Sequence, residues 1–401
     1  METEIINQGY IPLLSLIGSF VIAYIMIPTI IDVSHAKHLF DDPSDDRKLH
    51  MSAIPNLGGV AIFAGIIVTL ALSGYALHQW SPYLLAGLLI LFFSGIKDDL
   101  LVISPFKKLL LQVAAVVIIM GGGNVIITNL GGMFGFYQIP LWAGAMLTLF
   151  TMIVVVNAYN LIDGIDGLAA GIGIIASLFF GWWFWQVGMK ALMVLSFATM
   201  GALLAFLRYN FQPASIFMGD TGSQIIGYLL AFLAVMFVKT GVAPGVAVPF
   251  KNEVPVLILS VLIVPLYDTL RVFLIRALSG HSPFHPDRLH VHHQLIDMGF
   301  SHRATCYIIY GFNIGIIALT TVLAGMDVNL LLGIVLLTTV ALFPTFKIKR
   351  KILGVLGIRM PSRRQIQILE MKYGTRPKKD SSKCRNGQSR GREEEYKEVA
   401  V

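Results

Sequence analysis

The sequence predicts an all-α polytopic membrane protein, and three observations predict it. Of its 401 residues, 56% are hydrophobic and only 13% charged, with a mean hydropathy of +0.74, far above ordinary globular proteins. Apolar runs repeatedly approach the ~20 residues that a helix needs to cross a bilayer. None of them shows the strict alternation that an outer-membrane β-strand requires.

Taken in order, the first apolar run, residues 9–31, follows an acidic start and is long enough to span and stay. No cleavable signal peptide is therefore expected. Further runs follow at 55–74, 80–96, 108–121, 138–156, 167–186, 189–207, 222–239, 254–276, 303–325 and 328–346, giving about eleven spans, of which the fourth is short. The glycine-rich connection 121–135 contains short β-prone pieces and predicts a small external hairpin. No fixed-period repeat is present, which argues against a repeat-built transporter.

An odd span number puts the two termini on opposite sides. Lys and Arg crowd into the loops that share a side with the C-terminal tail, whereas the other side carries only Lys190, Lys239 and Lys251. The positive-inside rule then makes the tail cytoplasmic and the N-terminus external. Two regions result: an integral membrane domain, 1–346, and a basic tail, 347–401, whose first part has apolar residues at partly helical spacing and whose remainder, from about residue 375, has a disordered composition. Much of the net charge of +7 lies in this tail, which suits an anionic lipid surface, not a nucleic acid. Cys306 and Cys384 form neither a disulfide framework nor a metal motif.

With this topology, the polar clusters that packing does not explain fall on one side, the cytoplasmic one: residues 41–50, 97–108, 157–166, 210–220 and 281–302. The most informative reads NAYNLIDGIDG, residues 157–167, where Asp163 and Asp166 sit between two apolar runs. An ionisable group at such a boundary costs roughly 2.5–3.5 kcal/mol and persists where it lines a polar cavity or binds an ion. A turn that merely caps two helices is the plainer reading, but four polar groups in ten residues exceed what one cap needs.

Asp98 and Asp99 end the third run, and Asp220 stands in FMGDTGS before the eighth. Together with Asp163 and Asp166, these acids would repel one another unless a cation shared the site. Magnesium, with manganese as a substitute, suits oxygen donors and takes one or two carboxylates together with substrate phosphates. Basic groups interleave with the acids: Arg47 and Lys48, Lys107 and Lys108, and Arg288 with His290, His292 and His293 in HPDRLHVHH. Cations so placed hold phosphates and offset charge that develops in phosphoryl transfer. Zinc on the histidines is the alternative, disfavoured because no cysteine accompanies them. Asp268 and Arg271, three apart inside the ninth run, are expected to pair structurally.

NAYNLIDGIDGLAAG, KDDLLVISPFKK, FMGDTGS, RKLHMSAIPNLGG and HPDRLHVHH together resemble the polyprenyl-phosphate N-acetylhexosamine-1-phosphate transferases, over about residues 10–346. The resemblance implies a magnesium-dependent enzyme of the bacterial cytoplasmic membrane, in which undecaprenyl phosphate attacks the β-phosphorus of a UDP-N-acetylhexosamine and UMP leaves. It implies that Asp98 and Asp99 activate the lipid phosphate and that Asn160, Asp163 and Asp166 serve the nucleotide and pyrophosphate. Asp220 would be a magnesium ligand, with Asp99 and Asp163 beside it. Lys48, Lys108, Arg288, His290, His292 and His293 would surround the phosphates. The His-Val-His-His loop resembles the N-acetylglucosamine branch, so UDP-N-acetylglucosamine is the expected donor and another UDP-N-acetylhexosamine the alternative. A second copy of the chain is kept as a candidate partner. An ion-coupled transporter is the rival from another class, disfavoured because the acids gather at one face instead of the bilayer midplane. A CDP-alcohol phosphatidyltransferase fails because DGIDGLAAG lacks the Ala-Arg pair and the later acids of that signature.

Overall fold

The computed structural model describes residues 2–37, 39, 54–75, 78–243, 249–280 and 289–343. Their helices are α1 (Glu2–Lys37), α2 (Gly58–Leu72), α3 (Ser81–Leu100), α4 (Pro105–Gly123), α5 (Leu141–Ile162), α6 (Leu168–Gln186), α7 (Lys190–Asn210), α8 (Gly219–Gly241), α9 (Val254–Val261), α10 (Ile263–Leu278), α11 (Val291–Asp297), α12 (His302–Val322) and α13 (Val328–Leu342). Among the described residues, seven helical segments are long and apolar enough to cross a membrane, or eight when the bent pair α9–α10 counts as one span. The shorter apolar helices α2 and α13 also fall on runs read as spans. The chain is thus a polytopic helical membrane protein, and the runs singled out in the sequence fall on helices, the ninth on two of them, although α3, under the third run, is not among the seven.

The bundle is built around α8. Every residue in its most apolar window is buried, and α2, α3, α5, α6, α7 and α9 all pack against it. Lipid tails are as apolar as these side chains, so the hydrophobic effect does not hold such helices together; close van der Waals approach does. Gly95 of α3 shows how: a Cβ there would collide with the backbone of Thr221, so α3 and α8 meet backbone to backbone at the end that carries Asp98, Asp99 and Asp220. Outward-facing residues are large and apolar, among them Phe93, Leu110, Phe150, Leu274 and Leu337, as a lipid-facing surface requires.

Two expectations need correction. The ninth run is not one straight span: it breaks at Leu262, where α9 and α10 bend by 74°. Pro265 has no N–H to give to the carbonyl of Val261, which removes the hydrogen bond that would have carried the helix through. The expected hairpin shrinks to a single antiparallel bridge, Asn129–Gln138, flanked by Leu130 N–H to Tyr137 O at 2.8 Å and Ile139 N–H to Thr128 O at 3.0 Å. The intervening residues coil through a 3-10 turn, Met133–Gly135, instead of extending a ladder. The tail, 347–401, lies outside the described residues.

Candidate active site

The site begins where α3 ends. Leu101 adopts an extended backbone and stops the helix; Ser104 and Pro105 start α4, with proline at a first-turn position whose N–H no helix needs. Asp98 accepts the N–H of Ile103 at 2.7 Å through Oδ1 and so closes the short turn between them. That places Lys108, in the first turn of α4, against two acids at once: its Nζ lies 2.5 Å from Asp98 Oδ2 and 2.8 Å from Asp220 Oδ2. One cation is thereby shared by carboxylates that the chain separates by more than a hundred residues.

Asp220 is presented by the N-terminus of α8. The chain enters this helix through Gly219, at φ +69°, where a Cβ would collide with the carbonyl of Asn56 and crowd the carboxylate of Asp99. Segment 55–59 runs alongside: Phe217 N–H donates to Pro55 O at 2.7 Å, and Gly58 and Gly59 N–H groups donate to Phe217 O and Met218 O at 3.0 Å each. Asp99 caps α8 from α3. Its Oδ1 accepts Asp220 N–H at 2.7 Å, and its Oδ2 accepts Thr221 N–H at 3.0 Å and the Thr221 hydroxyl at 2.5 Å. A negative charge at a helix N-terminus satisfies orphan donors and is stabilised by the helix dipole. Both oxygens of Asp99 are therefore already engaged in holding α8 in place.

The turn after α5 brings the second set. Asn160 donates to Asp220 Oδ1 at 2.6 Å and to Ser223 Oγ at 2.7 Å, tying α5 to α8. Asp163 ends α5 and is partly buried, and among the described residues its carboxylate has no hydrogen-bond or ion-pair partner. Burial first, then the charges of Asp220, Asp99 and Asp166, push its pKa up to about 7. Asp166 points elsewhere. Its Oδ2 accepts Ala214 N–H at 3.3 Å and lies 3.9 Å from His302 Nδ1, so it braces the turn against the 211–216 loop and α12. Asn210 and Tyr310 complete the brace: Asn210 Oδ1 accepts Gly167 N–H at 2.8 Å, and the Tyr310 hydroxyl donates to Gly167 O at 2.6 Å.

The histidines arrive on an arm fixed by α10. Asp268, buried, accepts from Val291 N–H at 3.0 Å and Arg271 at 3.2 Å through Oδ1, and its Oδ2 stands 2.9 Å from His290 Nδ1. Arg271 also donates to the carbonyl of Leu289. His292 stacks on His290 and packs so closely on Gly164 that no Cβ would fit there. Its Nε2 is buried with no hydrogen-bond partner among the described residues. Burial, then the charge of His293, hold its pKa down to about 3, so its ring is neutral and its free nitrogen faces the Asp163–Gly164 turn.

The structure thus brings together Asp98, Asp99, Lys108, Asn160, Asp163 and Asp220, with His290, His292 and His293 alongside through the Gly164 contact. Lys48 and Arg288 lie outside the described residues. Asp166 belongs to the wall of the site. Thr221, Ser223 and Asn210 carry no individual signal in the sequence, although each stands in one of its polar segments, and the spacing of Asp268 and Arg271 predicts their pairing but not the contact with His290. Among the described residues, no group of three or more His, Cys, Asp or Glu side chains is drawn together closely enough to hold a metal ion by itself. The arrangement is instead a cation, Lys108, held between two acids, beside an unpartnered acid and an unpartnered imidazole nitrogen. Such a set can receive phosphate oxygens and neutralise them.

Known proteins resemble this chain along most of its length. The glycosyl transferase family 4 profile matches residues 81–238. The probable undecaprenyl-phosphate N-acetylglucosaminyl 1-phosphate transferase of Bacillus subtilis (strain 168) is 32% identical over 307 residues, covering 74% of this chain and 81% of that protein. The undecaprenyl-phosphate alpha-N-acetylglucosaminyl 1-phosphate transferase of Escherichia coli (strain K12) is 32% identical over 268 residues, 65% of this chain and 70% of its own length. The decaprenyl-phosphate N-acetylglucosaminephosphotransferase of Mycobacterium tuberculosis (strain ATCC 25618 / H37Rv) is 33% identical over 301 residues, 68% and 72% respectively.

Proposed function

Because the chain belongs to the polyprenyl-phosphate N-acetylhexosamine-1-phosphate transferases of glycosyl transferase family 4, we propose that it transfers N-acetylglucosamine 1-phosphate from UDP-N-acetylglucosamine to undecaprenyl phosphate, releasing UMP. This is the step that would initiate an envelope glycan, on the cytoplasmic face of a bacterial inner membrane. The names of the relatives support the transferred group and the acceptor class. The observation that carries the chemistry is Lys108 held between Asp98 and Asp220, with Asn160 on the far oxygen of Asp220.

An oxygen of the acceptor phosphate attacks the β-phosphorus of the nucleotide sugar; the bond from that phosphorus to the bridging oxygen breaks, and UMP departs with the electron pair. The acceptor phosphate is largely dianionic near pH 7, so no strong general base is required. Lys108 meets the charge that gathers on the pyrophosphate oxygens, Asn160 holds Asp220 in orientation, and Asp99 fixes the helix end that presents Asp220. The neutral His292 packs on Gly164 and supports the turn that carries Asp163.

Magnesium fits this donor set. It commonly takes one or two carboxylates, completing its shell with water and substrate phosphates, and would not need a prebuilt protein cage. Asp163, unpartnered and reluctant to ionise, lacks a counter-charge, and Asp220 adjoins it electrostatically. We assign Asp163 and Asp220 as its ligands. Asp220 would share its oxygens between the ion and the side chains of Lys108 and Asn160, whereas Asp99, which accepts the backbone N–H groups that open α8, is assigned to positioning. When bound, the ion would supply charge stabilisation to the transferring phosphoryl group.

The test is UMP release by purified protein given UDP-N-acetylglucosamine and undecaprenyl phosphate, with and without a chelator. Release that needs both substrates and stops on chelation is the expected result. Release only with another UDP-N-acetylhexosamine would change the donor, and no release with any would remove the enzyme.

A further inference from the structure

At the opposite end of α8 from Asp220 lies a second polar feature that the phosphotransfer site leaves unused. Two of the three basic residues on the sparsely charged side of the chain, Lys190 and Lys239, meet there in one cavity of about 540 Å³. His78 joins them, and among the described residues no Asp or Glu lines the cavity. The Nζ of Lys239 donates to the carbonyl of Asn124, a neutral partner that leaves its charge unbalanced. Helix α7 starts in the wall at Lys190. The N–H groups of Ala191 and Leu192 have no intrahelical acceptor, which adds positive potential to that of the side chains.

The depth of the cavity points to its occupant. Asp220 and Lys239 are nineteen residues apart on one continuous helix, about 29 Å at 1.5 Å per residue, which matches a hydrocarbon core of about 30 Å. The cavity therefore sits at the headgroup level of the other leaflet. Its wall is amphipathic: Tyr75 and Met189 line it with accessible apolar surface, Trp80 lies behind them, buried against Phe232, and the His78 ring sits tilted to Trp80 at 4.9 Å. A free phosphate would need only the cations. A phosphodiester carrying a glyceride also needs the apolar wall, and aromatic side chains at this level are characteristic of lipid interfaces.

We propose that this cavity binds the headgroup of an anionic phospholipid in the leaflet opposite the Asp98–Asp220 cluster. Lys190 and Lys239 pair with the phosphodiester, and Tyr75 and Met189 pack on the glycerol and upper acyl carbons. The lipid supplies a counter-charge to the two lysines, for which the described lining of the cavity holds no carboxylate.

The experiment is native mass spectrometry of the full chain released from mixed micelles containing phosphatidylglycerol and phosphatidylcholine of identical acyl composition. Wild type should retain one phosphatidylglycerol that the Lys190→Gln/Lys239→Gln variant loses, its occupancy falling by at least roughly tenfold for two lysines. Phosphatidylcholine retention should be equal in both, and Lys190→Arg/Lys239→Arg should restore the lost lipid. A melting temperature equal to wild type shows that the Gln variant is folded; if the pair fails to fold, the two single variants are read in the same way. Equal phosphatidylglycerol retention by wild type and variant overturns the proposal. Displacement of that lipid by inorganic phosphate at millimolar concentration overturns it too, in favour of a free-anion site.

Discussion

Lys108 Nζ reaches Asp220 Oδ2 at 2.8 Å from a helix that begins more than a hundred residues earlier in the chain, and the same nitrogen holds Asp98 at 2.5 Å. Neutralising it leaves two acids facing each other and removes a cation that the proposed reaction places at the pyrophosphate. Lys108→Gln should lower kcat by roughly a hundredfold or more, the size of effect seen when a preorganised electrostatic donor is lost. Steady-state UMP release measures this, and a loss below about fivefold would remove Lys108 from the chemistry.

Asp98 and Asp99 are neighbours with different work. Asp98→Asn keeps the link to Ile103 but unbalances Lys108, so turnover should fall far more than nucleotide affinity; equal loss of both would count against a chemical role. Asp99→Asn weakens the cap of α8, which is worth about 1–2 kcal/mol. Its melting temperature should drop clearly, whereas that of Asp98→Asn should move less. A scan of both variants in the same detergent decides.

Asp163 gives a pH dependence with a definite sign. Its carboxyl holds a proton up to about pH 7, whereas an unfolded aspartate releases it near 3.9. The cation-free protein should therefore lose stability as pH rises from about 4 to about 7, because the native state is the one that binds the extra proton there. A divalent ion bound at Asp163, as proposed, would have to displace that proton. Magnesium affinity should weaken by about tenfold for each pH unit below 7, level off above it, and release protons on binding. Calorimetry in buffers of different ionisation enthalpy reads the release; Asp163→Asn should abolish it.

Asp268 sets the orientation of His290 from inside the membrane-spanning α10. Asp268→Asn keeps the volume but removes the charge that Arg271 and His290 share. Turnover should fall by about tenfold or more with little change in the KM for nucleotide, as a misoriented group would produce. A rise in KM alone would instead make Asp268 a structural anchor only.

Gly219→Ala should fail more severely than any of these. Its φ of +69° already disfavours a side chain, and the added Cβ would collide with Asn56 O next to the carboxylate of Asp99. Poor yield of folded, monodisperse protein is the expected outcome, and a stable Gly219→Ala protein would contradict the described entry into α8.

Composition and run length alone determine that this chain is helical and crosses a membrane repeatedly, because a bilayer forces every backbone group to be satisfied within the segment. Charge in apolar surroundings is costly enough that NAYNLIDGIDG, FMGDTGS and the KDD segment declare themselves as a site in one dimension. What those acids do was decided only by packing. Asp99 and Asp220 look alike in sequence, but the close contact of Gly95 with Thr221 turns Asp99 into a helix cap and leaves Asp220 to meet Lys108 and Asn160. Asp163 and Asp166 are three residues apart, yet one is left without a partner among the described residues and the other is tied to the 211–216 loop. The break at Leu262 and the grip of Asp268 on His290 likewise depend on contacts between distant segments. Local pattern reports the cost of burying each group, whereas the partner that offsets it is chosen by the tertiary arrangement.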